Sequence, residues 1–366
     1  MAGMTARTEP RGARSLDRTG RFAGLPRPLA ALILVALSIL ILSGLPFALH
    51  PGPVTPPAHS VNGFTLYGRI IERMRAGEPY ELAAVSELRA EGGPIKPFVT
   101  VRSPLLAEVL SRLPDGATRD RALQILGLVV IAAWAVRLRT YAKEPLWVGF
   151  TALAVFSGSG AAMLGAGSMS LFHEAWAGLL IALALALRTD RRFWTSAMVG
   201  LLAALVRELA LPFLAVMALA ALVEKRRAEA SIFAGALALA LIALGLHAHA
   251  VMALTRPGDA VSPGWVEFAG WGFVLLAAKW NLIVLAVGLW AAAVLVPLAL
   301  LGAAGRRDGL GLRLAVLLIG YCLGFMIIGR PANYYWGLVT APILSIGLAL
   351  APAALADLAR SVRRRA

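Results

Sequence analysis

Long apolar runs separated by short polar turns dominate the chain. The first run, Leu29 to Leu49, has 21 residues, enough for a helix to cross a bilayer core of about 30 Å. Nine further spans are predicted near 122–137, 146–164, 172–187, 195–206, 209–223, 231–254, 281–303, 314–329 and 336–356. The pattern predicts an all-α, polytopic membrane bundle of about ten transmembrane helices.

Residues 50–120 form the long polar segment between the first two apolar runs. Within it, Gly63–Gly77 has the period of an amphipathic helix. The apolar residues on one face of this helix are Phe64, Tyr67, Ile70, Ile71 and Met74. Shorter helices are predicted over Tyr80–Ala90 and Pro104–Leu113. We therefore expect a large loop of amphipathic helices on one side of the membrane.

The runs 195–206 and 209–223 allow two interpretations. Each is shorter than the roughly 20 residues of a full crossing, and Arg207–Glu208 separates them. A hairpin of two short helices keeps the later basic loops on one side of the membrane. A single tilted helix moves those loops to the other side unless 266–278, otherwise an interfacial or re-entrant helix, is also a span. The hairpin satisfies the positive-inside rule better.

Composition supports a membrane location. Of the 366 residues, 59% are hydrophobic and 15% are charged, and the mean hydropathy is +0.75. About a quarter of the residues in a soluble domain are charged, so this chain has too few charges for a fully hydrated surface. The single cysteine, Cys322, excludes an intramolecular disulfide and a cysteine-based metal site.

The formal net charge of +15 indicates orientation. Arginine and lysine exceed the acidic residues in both tails and in alternate loops, whereas the two balance in the other loops. The positive-inside rule then places both termini in the cytoplasm and the 50–120 loop outside. The predicted divisions are a disordered basic tail over 1–27, a multi-span domain over 28–356 and a basic cytoplasmic tail over 357–366.

The distribution of the basic residues favours the lipid bilayer as their binding partner. They lie in short turns and not on one folded face, so the sequence argues against nucleic-acid binding. Anionic lipid headgroups attract such basic turns.

Polar residues from distant parts of the chain reach the outer side in this topology. They are His173–Glu174, Arg207–Glu208 and the segment from Arg330 to Trp336. Polar groups at membrane depth usually face a cavity or a partner, so the pattern predicts an outward-facing site between helices. Structural interpretations stay open: a helix cap, an ion pair and an interfacial aromatic belt, respectively.

Three common catalytic signatures are absent from the sequence. It has no G-x-x-x-x-G-K-[ST] phosphate loop, no H-E-x-x-H metal motif and no G-x-S-x-G nucleophile elbow. These absences exclude pumps, metalloproteases and hydrolases of those types.

The polar loop carries one recognisable run. It reads Leu66-Tyr67, then Ala76-Gly77-Glu78-Pro79-Tyr80, then Pro94 to Pro97 and Arg102-Ser103-Pro104. This run, the first helix that leads directly into it and the many short spans that follow resemble the GT-C superfamily of integral-membrane glycosyltransferases. The similarity is to bacterial members that depend on polyprenyl-phosphate sugars. The resemblance implies sugar transfer from a lipid-phosphate donor to a cell-envelope acceptor at the outer face of the inner membrane.

The resemblance also implies an acidic general base and basic groups that hold the donor phosphate. The family places an Asp shortly before the Tyr, but here this region contains Asn62, and an amide cannot act as a base. Four other carboxylates are candidates: Glu78, which ranks first because it lies in the Gly-x-Pro-Tyr segment, and Glu72, Glu174 and Glu208. The candidate substrate-binding residues are Tyr67, Arg102, His173, Arg207, Arg330, Asn333 and Tyr334. No metal ligands are predicted from the sequence, and the resemblance leaves room for a divalent cation as cofactor.

Two other functions stay open at this point. A transporter or flippase of a lipid-linked or anionic substrate would use Arg207–Glu208 as an intramembrane pair. A non-catalytic membrane protein derived from the transferase fold would explain the missing Asp.

Overall fold

The computed structural model describes residues 20–52, 63–139, 145–164, 169–264 and 266–364. These residues form fifteen α-helices joined by short turns, and they include no β-strand. The helices are α1 Arg27–Leu49, α2 Gly63–Arg75, α3 Tyr80–Ala90, α4 Leu105–Ser111, α5 Gly116–Leu138, α6 Pro145–Leu164, α7 His173–Leu187, α8 Phe193–Val206, α9 Leu211–Val223, α10 Arg227–Leu254, α11 Gly270–Ala277, α12 Leu282–Val287, α13 Trp290–Ala304, α14 Gly309–Ile328 and α15 Gly337–Arg363.

Five of these helices are long and apolar enough to cross a membrane, namely α1, α5, α10, α14 and α15. Shorter apolar helices of 10–17 residues lie in α6, α7, α8, α9 and α13. Large apolar side chains remain exposed on the periphery, as at Leu32 and Leu42 of α1, which are 61% and 63% exposed. The all-α prediction is confirmed for the described residues, and the five long apolar helices are typical of a membrane protein. The number of ten spans stays a prediction.

The last helix, α15, forms the centre of the bundle. Its apolar window is 83% buried, and it packs against α6, α7 and α13. Glycines allow these close approaches, because a Cβ on Gly178 would lie 2.2 Å from the carbonyl oxygen of Leu338. Small residues at helix contacts are the usual way in which membrane helices approach each other.

Helices α8 and α9 form the predicted hairpin. Arg207, between them, contacts Glu174 at the start of α7, whereas Glu224, after α9, contacts Arg188 at the end of α7. After α7 the chain therefore runs back along α8 to the level of the start of α7, and then returns along α9 to the level of its end. The alternative of a single tilted helix is wrong, and α11 has only 8 residues, too few for a crossing.

The predicted single span over 281–303 is wrong at its start. The helix is interrupted at Gly288, which separates α12 from α13. Gly288 has a φ of 106°, a backbone conformation that glycine adopts readily and other residues rarely adopt. Asn281 caps α12 by accepting from the Ile283 N–H, and its buried Nδ2 donates to Ser157 and Ser345 at 3.0 and 2.9 Å. These bonds tie the short segment between α6 and α15.

The amphipathic helices of the polar loop form a second, smaller core. Leu66, Ile70 and Tyr80 pack together there with Val251 of α10. The predicted helices correspond to α2, α3 and α4, with ends shifted by two residues or fewer.

A loop that follows α10 holds this small core in place. Arg89 donates to both carboxylate oxygens of Asp259 at 2.6 and 2.9 Å, and the Ile95 N–H donates to the Ala260 carbonyl at 3.0 Å. The hydrogen bonds from Arg89 lower the pKa of Asp259 to about 2. This carboxylate therefore stays ionised through most of the acid range.

The two predicted tails differ in part from the prediction. Residues 20–26, expected to be disordered, pack against the bundle: Phe22 is buried, the Arg21 N–H donates to Gly305, and Ser361 donates to the Phe22 carbonyl. At the other terminus α15 continues to Arg363, so most of 357–366 is a helix and not a separate tail. Residues 1–19, Asn62 and residues 365–366 lie outside the described residues.

Candidate functional site

Charged side chains form a buried cluster where α2–α4 contact the bundle. We call this end of the bundle the loop end. Arg207 Nε donates to Glu174 Oε1 at 2.7 Å, and Arg102 Nη2 lies 3.6 Å from the same oxygen. Arg207 also pairs with Glu208. Arg207 and Glu174 are 1% and 2% exposed, so this pair is shielded from water, and the two cations of the cluster balance its two carboxylates.

Local backbone features position these side chains. Glu174 lies in the first turn of α7, where the helix dipole favours an acidic residue. The extended backbone of Arg207 ends α8, and Pro212 lies in the first turn of α9, a position that proline tolerates. Arg102 lies in the turn before α4. Three separate chain segments therefore contribute to one cluster.

Charge balance explains how this cluster tolerates burial. An unpaired ion in a low-dielectric interior costs several kcal/mol, and removal of one partner from a buried pair typically costs about 3–5 kcal/mol. Arg207 avoids this cost through two carboxylates, and Arg102 through Glu174 and a hydrogen bond to the Tyr335 hydroxyl at 2.9 Å.

Aromatic rings surround the cluster. The Tyr67 ring lies 5.0 Å from the ring of His173, and Phe172 contacts both Phe64 and Tyr335. Burial raises the pKa of Tyr67 to about 12, so its hydroxyl keeps its proton near neutral pH. His173 is 2% exposed, and its Nε2 has no hydrogen-bond partner among the described residues.

A cleft of about 250 Å³ lies beside this cluster. The start of α4, the end of α8, the α8–α9 turn and the middle of α10 line it. Its polar lining residues are Ser103, Glu108, Glu208 and His247, and the others are alanine, leucine or proline. Glu208 thus connects the buried charges on one side with an apolar cleft on the other.

The structure brings six of the predicted site residues together at the loop end. They are Tyr67, Arg102, His173, Glu174, Arg207 and Glu208. Four of these come from the transmembrane part of the sequence and two from the polar loop.

The other candidates are engaged elsewhere. Arg73 binds both carboxylate oxygens of Glu78, and Glu72 is exposed on α2. Arg330 pairs with Glu267 at 3.0 Å. Tyr334 stacks on Trp280 at 5.8 Å with an interplanar angle of 7°, and Asn333 lies half-buried in the same turn.

Two residues were missed as members of the site. Tyr335 was grouped with the aromatic belt, but it contacts Arg102. His247 is not among the site residues predicted from the sequence, but it lines the cleft. A signal for His247 existed, because Ala240, Ala243 and His247 share one face of α10 at helical spacing.

The residues present do not suit a divalent cation. Among the described residues, no group of three His, Cys, Asp or Glu side chains could hold a metal ion. The two buried carboxylates, Glu174 and Glu208, are already paired with arginine. We therefore derive no step that uses a metal.

A second buried charge cluster lies at the opposite end of α7–α10. Arg188 donates to both carboxylate oxygens of Glu229 at 2.9 Å. Arg313, which is fully buried, donates to Glu224 at 2.6 and 2.9 Å and to Glu229 at 3.0 Å. These pairs link the ends of α7 and α9 to the starts of α10 and α14, which is a structural role.

Comparison with known proteins adds no relative. No protein-family model matches the chain, and neither the curated proteins nor the solved structures include a significant match.

Proposed function

We propose that the protein is an integral-membrane glycosyltransferase of the GT-C type, which transfers a sugar from a lipid-phosphate donor to a cell-envelope acceptor. One observation carries the proposal: buried arginines, carboxylates and an apolar cleft meet beneath the amphipathic helices at the loop end. Sugar transfer between lipid-linked molecules needs cations for the donor phosphate, a base near the sugar and apolar surface for a lipid chain. The site offers all three within one region.

The proposal includes a topology. Ten spans, with α12 and α13 counted together as one, place both termini in the cytoplasm and the loop end outside the plasma membrane. Basic residues at the opposite end, including Arg188, Arg226 and Arg313, support this orientation by the positive-inside rule.

Arg102 is the best placed cation for the donor phosphate. Its side chain is 15% exposed, and its contact with Glu174 is long at 3.6 Å, so a phosphate oxygen can compete for it. Arg207 is enclosed by two carboxylates, and its role is to position Glu174 and Glu208. Fixed cations stabilise the charge that develops on a leaving phosphate.

Glu208 is the carboxylate that we assign as general base. Its side chain is 20% exposed and lines the cleft, whereas Glu174 is enclosed and Glu78 is held by Arg73. In the proposed step Glu208 accepts the proton of the acceptor hydroxyl, and the hydroxyl oxygen bonds to the anomeric carbon. The bond from that carbon to the phosphate oxygen breaks, and the lipid phosphate leaves with its charge beside Arg102.

Sugar transfer by the purified full-length protein tests this proposal directly. With polyprenyl-phosphate sugars and membrane acceptors, Glu208→Gln should lower the rate by roughly 10²–10⁴-fold, the usual contribution of a general base. Glu91→Gln is the matched control, because Glu91 follows α3, pairs with Arg69 and is not among the residues that line the cleft. No transfer by the folded wild-type protein refutes the function, and full activity in Glu208→Gln refutes the assigned base.

A flippase is the second candidate, and one observation favours it. Balanced ion-pair clusters close both ends of the α7–α10 unit, as expected of two gates. Flux of a lipid-linked substrate in proteoliposomes, without any sugar transfer, would favour this function. The convergence of six polar candidates on one region argues against a non-catalytic scaffold.

A further inference from the structure

The cleft beside Glu208 has the shape for a hydrocarbon chain. Along α10 it extends from Ala240 to His247, which is about 10 Å at 1.5 Å per residue. Small side chains, Ala204, Ala240 and Ala243, form much of its wall. A sugar needs many hydrogen-bond partners, whereas this lining is mostly apolar.

The cleft adjoins surface that a membrane would cover. On α10, Ile242 and Leu246 are 60% and 68% exposed, and on α8 Leu202 is 42% exposed. Exposed leucine and isoleucine next to an apolar cleft provide a path by which a lipid chain enters sideways.

The charge at the cleft disfavours an anionic head. Among the described residues that line it, the charged ones are Glu108 and Glu208, both carboxylates. The nearby Arg207 is occupied by Glu174 and Glu208. Glu108 is paired in the same way with Arg112 at 3.0 Å. A phosphate in this cleft would therefore meet two carboxylates in the lining and would have to compete with them for their arginines.

Glu208 supplies a hydrogen-bond acceptor to the cleft, because its carboxylate lines the cleft and its side chain is 20% exposed. His247 also lines the cleft, but both of its ring nitrogens face protein groups. Nε2 donates to the Val101 carbonyl at 3.0 Å, and Nδ1 lies 3.7 Å from the Glu81 carboxylate. A hydroxyl group is a head that can donate to Glu208.

We propose that the cleft binds an uncharged membrane lipid that carries a free hydroxyl group, and that this lipid is the acceptor. The name acceptor rests on the proposed function, whereas the binding itself does not. The hydroxyl lies at Glu208, the apolar chain follows α10, and the anionic donor uses the Arg102 side of the charged cluster.

Photo-crosslinking of the full-length protein in nanodiscs tests this inference. The two probes are a diacylglycerol and a phosphatidic acid with identical diazirine-bearing chains, which differ in their hydroxyl and phosphate heads. We expect diacylglycerol to label the α10 segment 240–247 about ten-fold more than phosphatidic acid does. A ten-fold difference in binding corresponds to a repulsion of about 1.4 kcal/mol between the phosphate and the carboxylates. Unlabelled diacylglycerol should compete.

Two variants separate the cleft from the lipid-facing surface. Ala243→Trp fills the cleft and should lower diacylglycerol labelling about ten-fold, because it removes several buried methylene contacts. Ile242→Trp is the matched control, since it adds the same ring on the exposed face. Glu208→Gln should raise labelling by phosphatidic acid, because it removes a repelling charge.

Equal labelling by both probes, or a preference for phosphatidic acid, overturns the inference. Undiminished labelling in a folded Ala243→Trp protein overturns it as well. If Ala243→Trp does not fold, the competition experiment on the wild-type protein decides the question. Failure of unlabelled diacylglycerol to reduce labelling of 240–247 then overturns the inference. Sugar transfer without diacylglycerol labelling refutes this inference alone, whereas labelling without transfer supports the cleft and refutes the proposed function.

Discussion

The substitution Glu174→Met tests the reasoning about the buried charges. Glu174 holds Arg207 at 2.7 Å, and both are at most 2% exposed. Methionine has a similar size, but it leaves Arg207 with only Glu208 and removes the carboxylate that Arg102 contacts. Loss of one partner in a buried pair typically lowers the free energy of unfolding by about 3–5 kcal/mol. Because Arg207 keeps its pair with Glu208, we expect a loss near the lower limit, about 3 kcal/mol.

Denaturant unfolding of the purified protein in mixed micelles measures this loss. The double variant Glu174→Met/Arg207→Met should be more stable than Glu174→Met alone, because it removes the fully buried Arg207 charge. It leaves Arg102 and Glu208, which have opposite charges and are 15% and 20% exposed. Glu108→Met is the control, since Glu108 pairs with Arg112 at the surface and should cost less than about 1 kcal/mol. A loss below about 1 kcal/mol for Glu174→Met, or simple additivity in the double variant, refutes the reasoning.

Three further predictions concern pH, packing and topology. Because its partner Arg89 lowers the pKa of Asp259 from 3.8 to about 2, this pair stabilises the polar loop above pH 4. The contribution should disappear as pH falls from about 4 to 2. Asp259→Asn should remove that part of the acid unfolding curve, and an unchanged curve would contradict it. Gly178→Ala should destabilise by about 1–3 kcal/mol in thermal unfolding because its Cβ meets backbone, whereas Gly235→Ala, with open space around it, should be neutral or stabilising. In a cysteine-free background, Asp115→Cys should react with an impermeant thiol reagent from outside the cell and Asp190→Cys only after permeabilisation; the reverse result refutes the topology.

Much of the helical architecture could be predicted because it depends on local pattern. The amphipathic period over Gly63–Gly77 predicts α2, and the apolar run from Leu29 predicts α1. The break at Arg207–Glu208 was predicted from the placement of basic loops around it. The first two depend on residues close to one another in the sequence, and the third depends on where basic residues occur along the whole chain.

The failures share a different cause. The 281–303 span is broken at Gly288, and Asn281 holds the short helix before the break against Ser157 and Ser345 of other helices. The residues before α1 are ordered because Phe22 packs on the ends of α13 and α15. Apolar content predicts neither result, since both depend on which distant segments pack together.

The candidate site shows the same division. The sequence indicated that Arg102, Glu174, Arg207 and Glu208 are polar groups expected on one side of a membrane, because hydropathy and charge bias are properties of the chain alone. Which carboxylate each arginine binds follows from packing: Glu78 is taken by Arg73, whereas Glu208 lies at a cleft between α8 and α10. Ion pairs act over a few ångströms. Helix packing sets those distances, because the paired residues lie far apart in the sequence.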